Sequence, residues 1–133
     1  MSAFIRIIIL LNLIMSFTLP ALGIYYIKKS TGMYNKDPFY NKVLNLSNQE
    51  TWEFGLKFLG KAYIISGILH LIVFLTVLSL VIGQDEIVKI RVFSFSLLIW
   101  NVFYWISLII TGKMTKNYSQ QQTLESSRRL PII

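Results

Sequence analysis

Residues 62–84 read AYIISGILHLIVFLTVLSLVIGQ, twenty-three positions without one Asp, Glu, Lys or Arg. A helix needs about 20 such residues to cross the hydrocarbon core of a bilayer. Two more stretches qualify: residues 7–27 (IIILLNLIMSFTLPALGIYYI) and 92–112 (VFSFSLLIWNVFYWISLIITG), each charge-free over 21 positions. In lipid every backbone N–H and C=O must be paired within its own segment, so these stretches are read as helices. The expected fold is therefore an all-α membrane protein with three transmembrane helices, at about residues 4–27, 58–83 and 90–112. A connector (28–57) and a polar tail (113–133) complete a single membrane domain.

Composition points the same way. Hydrophobic residues make up 54% of the 133 positions and charged residues 14%, a balance foreign to a soluble domain of this size. Little chain remains outside the spans, which leaves no room for a Rossmann or P-loop domain. The net charge of +7 lies outside the spans and suits anionic lipid headgroups rather than nucleic acid. Without cysteine there is no disulfide, thiolate nucleophile or lipidated anchor.

Residues 1–27 admit a rival reading. Arg6, the apolar run 7–18, then Pro20, Ala21 and Gly23 resemble a secretory signal with a cleavage site. However, the run continues through Tyr25, Tyr26 and Ile27 to Lys28 and Lys29, an interfacial anchor. It also exceeds the usual 7–15 residues of a signal core. A retained span, kinked at Pro20, is the expectation.

Basic residues set the expected orientation. Lys28, Lys29, Lys36, Lys42, Lys57 and Lys61 flank or occupy the connector, and Lys113, Lys116, Arg128 and Arg129 lie in the tail. Only Arg6, Lys89 and Arg91 fall on the other side, a ten-to-three asymmetry. The positive-inside rule places connector and tail in the cytoplasm and the N-terminus outside, in a multi-pass cell-membrane protein.

The connector carries the most specific signals. Thr31-Gly32 and Asp37-Pro38 are turn dipeptides that argue against helix there. Ser47-Asn48-Gln49-Glu50 reads as a capping box, with the Ser47 hydroxyl capping the helix and Glu50 reaching back. The helix it opens mixes Trp52, Phe54, Leu56, Phe58 and Leu59 with Glu53 and Lys57. That mixture predicts a short amphipathic lead-in near the headgroups, running into the second span with at most a bend around Gly55 or Gly60, with Trp52 as interface anchor.

These residues resemble the SdpI-type family of small membrane proteins, named for a bacterial immunity protein against a secreted toxic peptide. Pro20, Gly23, Lys28, Lys29 and Asn35 fit the first part of the family pattern. Asn48, Thr51, Trp52, Glu53, Phe54, Gly60 and Lys61 fit its last part at the family spacing. The resemblance covers residues 19–68, and the three-span layout extends it. Where the family has Gly-Tyr-Arg-Thr, this chain has Phe39-Tyr40-Asn41-Lys42, keeping only Tyr40. Lys42 restores a charge without the bidentate fork of Arg. The resemblance implies protection against a membrane-active peptide toxin, or signalling of its presence to a cytoplasmic regulator. The implied functional surface is Asn35, Tyr40, Lys42, Asn48, Thr51, Trp52 and Phe54.

Polar residues also occur inside the spans. Asn12, Ser16 and Gly23 share one face of the first. Ser66 and His70 lie one turn apart on the second, where Gly60 and Gly67 give a smooth seam. Ser94 and Asn101 recur at seven on the third. His70 and Asn101 are the intramembrane candidates for a polar pathway. The plainer reading is interhelical hydrogen bonding between closely packed helices. Trp100, Tyr104 and Trp105 sit mid-span and are read as packing, with Asn101 a partner for their polar groups.

Enzymatic roles find little support: the spans hold one titratable group, His70, and the six carboxylates lie outside them. No cofactor or metal site is expected, since one His cannot complete a His-rich site. The alternative to the immunity reading is a non-catalytic accessory subunit in a larger membrane complex or homo-oligomer.

Because the chain lacks cysteine, the orientation is directly testable with Gln84→Cys and Ser126→Cys. Position 84 should label from outside intact cells and position 126 only after permeabilisation; external labelling at 126 would reverse the orientation.

Overall fold

A computed structural model describes residues 2–34 and 38–129, with the side chains of residues 38–40 and 129 outside the description. It contains four helices in the order α1 (Ala3–Ser30), α2 (Pro38–Val43), α3 (Gln49–Val81) and α4 (Glu86–Arg129). Among the described residues there is no strand. Three of the helices, α1, α3 and α4, are long and apolar enough to cross a membrane. The expected all-α, three-span class is therefore observed.

The central helix is α3, which packs against both α1 and α4. The contact with α1 is made where side chains vanish. A Cβ on Gly60 would lie 2.5 Å from the Gly23 carbonyl oxygen, and one on Gly23 would strike the Gly60 carbonyl. About two turns further on, Gly67 receives the Pro20 ring and lies beside the Ser16 carbonyl. Helix α1 continues through Pro20, so its ring is a packing element of the seam.

The buried side chains form two apolar clusters. One, toward the connector, includes Leu19, Tyr26, Trp52, Leu56, Leu59, Tyr63, Trp100 and Leu108. The other, toward the α3–α4 turn, comprises Ile5, Ile8, Phe74 and Phe93. Outward-facing apolar residues such as Phe17, Ile68, Phe95 and Ile109 are exposed, as lipid contact requires. The turn itself is tight, closed by Gln84 N–H donating to the Val81 carbonyl at 2.9 Å.

The structure corrects the sequence reading at Pro38 and extends it at two other places. Pro38, read with Asp37 as a turn signal against helix, instead opens α2, which a fixed φ and a dispensable N–H at the first helical position permit. The lead-in and the second span form one continuous 33-residue helix, α3. The stretch after residue 112, read as a polar tail, stays helical to Arg129. It is held to the start of α3 by Tyr118, whose ring stacks on Phe54 at 4.3 Å, and by Gln122, whose amide donates to Glu50.

The seam makes a sharp stability prediction. Gly67→Val forces a side chain into the Pro20 ring and should cost about 1–3 kcal/mol, the usual range for overpacking. Gly83→Ala meets nothing within 4 Å and should be neutral. Thermal unfolding of both variants in detergent, with equal losses or none, would contradict the seam.

Candidate functional site

Two polar assemblies stand out: a folded connector at one end of the bundle and a buried layer between its apolar clusters.

The connector is anchored at both ends. Helix α1 closes at Thr31, whose N–H reaches the Lys28 carbonyl at 3.2 Å. The Gln49 side chain then ties the chain that leaves α1 to the start of α3. Its amide donates to the Gly32 carbonyl at 2.9 Å, and its oxygen accepts from Tyr34 N–H at 2.6 Å. Further on, Asn45 takes φ 57°, a left-handed conformation that Asn tolerates better than most residues. Its amide donates to the Gly112 carbonyl at 2.9 Å. Any side chain at Gly112 would meet the Val43 carbonyl, so α2 and the loop after it lie directly on α4.

The cap of α3 differs from the Ser47–Glu50 box expected from sequence. Asn48, in extended conformation, is the N-cap: its Oδ1 accepts from Thr51 N–H at 2.9 Å. The Thr51 hydroxyl oxygen accepts from the Asn48 and Ser47 N–H groups at 3.0 and 2.9 Å. Thr51 is compact enough to serve both donors, which frees Glu50 for Gln122. Both Ser47 and Asn48 are cap-competent residue types, and the sequence signature alone took the wrong one.

Trp52 is also reassigned. It is only 2% exposed and belongs to the core, so it is not an interfacial anchor. Tyr34 meets it edge-on at 5.7 Å, and the Lys29 ammonium lies 5.6 Å from its ring centre. Its indole N–H has no hydrogen-bond partner among the described residues. Of the other surface candidates, Phe54 is half-buried against Tyr118 and Lys42 is exposed. Asn35 and the Tyr40 side chain lie outside the described residues.

Two clefts open beside this scaffold. One of about 490 Å³ is lined by Ser30, Thr31, Glu50, Glu53, Lys57 and the Phe54–Tyr118 pair. The other, about 460 Å³, is lined by Lys42 and Lys116 together with Asn41, Asn45, Ser47 and Gln120. The first combines two carboxylates with the Lys57 ammonium, and the second offers two ammonium groups. Sequence reading missed the contribution of α4 to both clefts, because Lys116 and Tyr118 reach the connector only if the tail remains helical.

The buried layer joins all three spans. His70 Nε2 lies 3.0 Å from the Ser96 carbonyl oxygen, which can only accept, so Nε2 carries the hydrogen. Nδ1 lies 2.6 Å from the Ser16 hydroxyl oxygen, which also lies 2.9 Å from the Asn12 carbonyl, so its single proton serves one of the two acceptors. Asn12 donates to the carbonyls of Ile8 and Phe93 at 3.0 and 3.2 Å. Its Oδ1 has no partner among the described residues. Asn12, Ser16 and His70 thus meet, while the Ser66 hydroxyl turns to Ser107 instead, at 3.0 Å. Asn101 and Ser94 do not join: both are exposed, and Asn101 donates only within its own helix, to Leu97 at 3.2 Å. The Trp100 indole N–H, for which Asn101 was the expected partner, donates to the Met15 carbonyl at 2.7 Å.

Both ring nitrogens of His70 are therefore engaged in helix-to-helix contacts, which makes it an interhelical link. Among the described residues no three His, Cys, Asp or Glu side chains converge as metal ligands would. Comparisons with protein-family models, curated proteins and solved structures find no match to this chain.

The reassigned cap separates cleanly by mutation. Asn48→Ala should cost about 0.5–2 kcal/mol, the usual loss of an N-cap side chain. Ser47→Ala should be neutral, since its hydroxyl is not the cap. Proteolysis between Thr31 and Asn48 should accelerate in the first variant alone; acceleration in the second alone would restore the Ser47 cap.

Proposed function

We propose that this chain is a non-catalytic membrane protein of the SdpI type. In this reading it protects a bacterial cell from a membrane-active peptide, or relays that peptide's presence to a cytoplasmic regulator. The protein sits in the cell membrane with its N-terminus outside and its connector and tail in the cytoplasm. The observation that carries the reading is where the residues of the resemblance fall. Pro20, Gly23 and Gly60 lie at the α1–α3 seam. Asn48 and Thr51 form the α3 cap, and Trp52 fills the core beneath the connector. These six shared residues support the α1–α3 seam, the α3 cap and the core beneath the connector.

That division assigns recognition to the exposed residues around the scaffold. Lys42 and Lys116 on one cleft and Glu53 and Lys57 on the other are exposed charges open to a partner, while Glu50 is held by Gln122. Exposed charges of this kind steer association and discriminate among partners. Trp52, by contrast, supports recognition only through the fold.

An accessory-subunit role is favoured by one observation, the exposure of Asn101 on α4 at the depth of the hydrocarbon. An amide facing lipid calls for a polar partner on a neighbouring helix.

Expression in a peptide-sensitive strain tests the main reading. Wild type should protect, and Lys42→Glu or Glu53→Lys should reduce protection about tenfold, equivalent to about 1.4 kcal/mol of binding, with membrane insertion intact. His70→Gln should leave protection largely unchanged. An essential His70 with a tolerant connector would move the function into the membrane. No protection, with a larger partner copurifying in stoichiometric amount, would establish the accessory role.

A further inference from the structure

A third crevice, of about 400 Å³, opens between α3 and α4 on the outer face of the bundle. Its walls are apolar: Phe58, Ala62 and Ile65 from α3, and Ile106 and Ile110 from α4. Its floor is Ser66 and Ser107, whose hydroxyls lie 3.0 Å apart. Ser107 donates to the Phe103 carbonyl at 2.8 Å, so Ser66 donates to Ser107 and neither hydroxyl proton is left to point into the crevice. With apolar walls and no hydroxyl proton directed into it, the space suits hydrocarbon.

The mouth has the opposite character. Lys61 lines it and is exposed. Lys113 is also exposed and follows Ile106 and Ile110 at the spacing of one helix face. With a rise of about 1.5 Å per residue, Lys61 lies about 7.5 Å and Lys113 about 9 Å from the serine pair, in the same direction. The two ammonium groups are thus level with each other on neighbouring helices. They are also the first charges beyond the charge-free stretches 62–84 and 92–112, which places them at headgroup depth. Among the described residues no carboxylate lines the crevice.

We propose that this crevice binds an anionic phospholipid, with an acyl chain between α3 and α4 and the phosphate held by Lys61 and Lys113. Charge complementarity selects the occupant: an apolar slot roofed by two cations matches a lipid that is apolar below and anionic above. Each lysine near a membrane surface contributes on the order of fivefold, about 1 kcal/mol, toward an anionic lipid. The crevice adds what bulk attraction lacks, a fixed position beside the connector. A lipid there would brace α3 against α4 just below the Phe54–Tyr118 stack.

Native mass spectrometry of the full chain, purified in detergent and offered equal amounts of phosphatidylglycerol and phosphatidylcholine, tests the site. Wild type should retain one phosphatidylglycerol in several-fold preference. Lys61→Gln with Lys113→Gln should abolish that preference, whereas Lys89→Gln with Arg91→Gln, an equal loss of charge at the far end, should not. Ile110→Trp fills the crevice and keeps both lysines, so it should also lose the lipid; Ala62→Leu provides a smaller plug if the first variant does not fold. Equal retention of both lipids by wild type, a preference that survives filling of the crevice, or a second copy of the chain bound in place of lipid would each overturn the proposal.

Discussion

The distance between α1 and α3 is set by backbone against backbone at Gly23 and Gly60, and by the Pro20 ring against Gly67. Lipid tails are as apolar as leucine, so helices in a bilayer gain nothing by simply hiding hydrophobic surface from one another. What holds them is close van der Waals packing, which small residues allow. Everything else in the bundle is registered by that seam. It fixes the height at which Ser16 meets His70, and it brings the end of α1 to the start of α3, where the connector must close.

The buried polar layer contributes in a different way. Hydrogen bonds between membrane helices are worth about 0.6 kcal/mol on average, so the contacts of Asn12, Ser16 and His70 do not by themselves hold the spans together. They select a register: slippage along the seam would leave an imidazole and an amide unsatisfied in hydrocarbon, at several kcal/mol each.

The three spans were legible because length and absence of charge are sufficient signals in a bilayer. The face of α1 carrying Asn12, Ser16 and Gly23 was legible too, since all three are buried together. Other features depended on tertiary contacts that periodicity does not carry. Trp52 looked like an interfacial residue because it stands beside Glu53, but the connector folds over it and buries it. Asn48 displaced Ser47 as cap because Thr51 supplies the reciprocal oxygen, a contact the familiar Ser-x-x-Glu pattern hides. On α4, Ser94 and Asn101 share a face by spacing, yet the face turned inward is that of Ser96, Ser107, Thr111 and Thr115. Four small hydroxyl residues there bond back to their own helix or to a neighbour, and their serine and threonine identities alone gave no direction. The clefts were out of reach for the same reason: each is lined by residues from both the connector and the extension of α4.

The connector is a folded part of the bundle, and that fold gives the proposed recognition surface its shape. Hydrogen–deuterium exchange of the full chain in lipid nanodiscs tests this most directly. The amides of Leu46, Ser47, Asn48, Thr51 and Trp52 all donate to defined acceptors. Residues 46–52 should therefore exchange far more slowly than an unstructured peptide. Exchange there at the unstructured rate, while the three spans remain protected, would contradict the account.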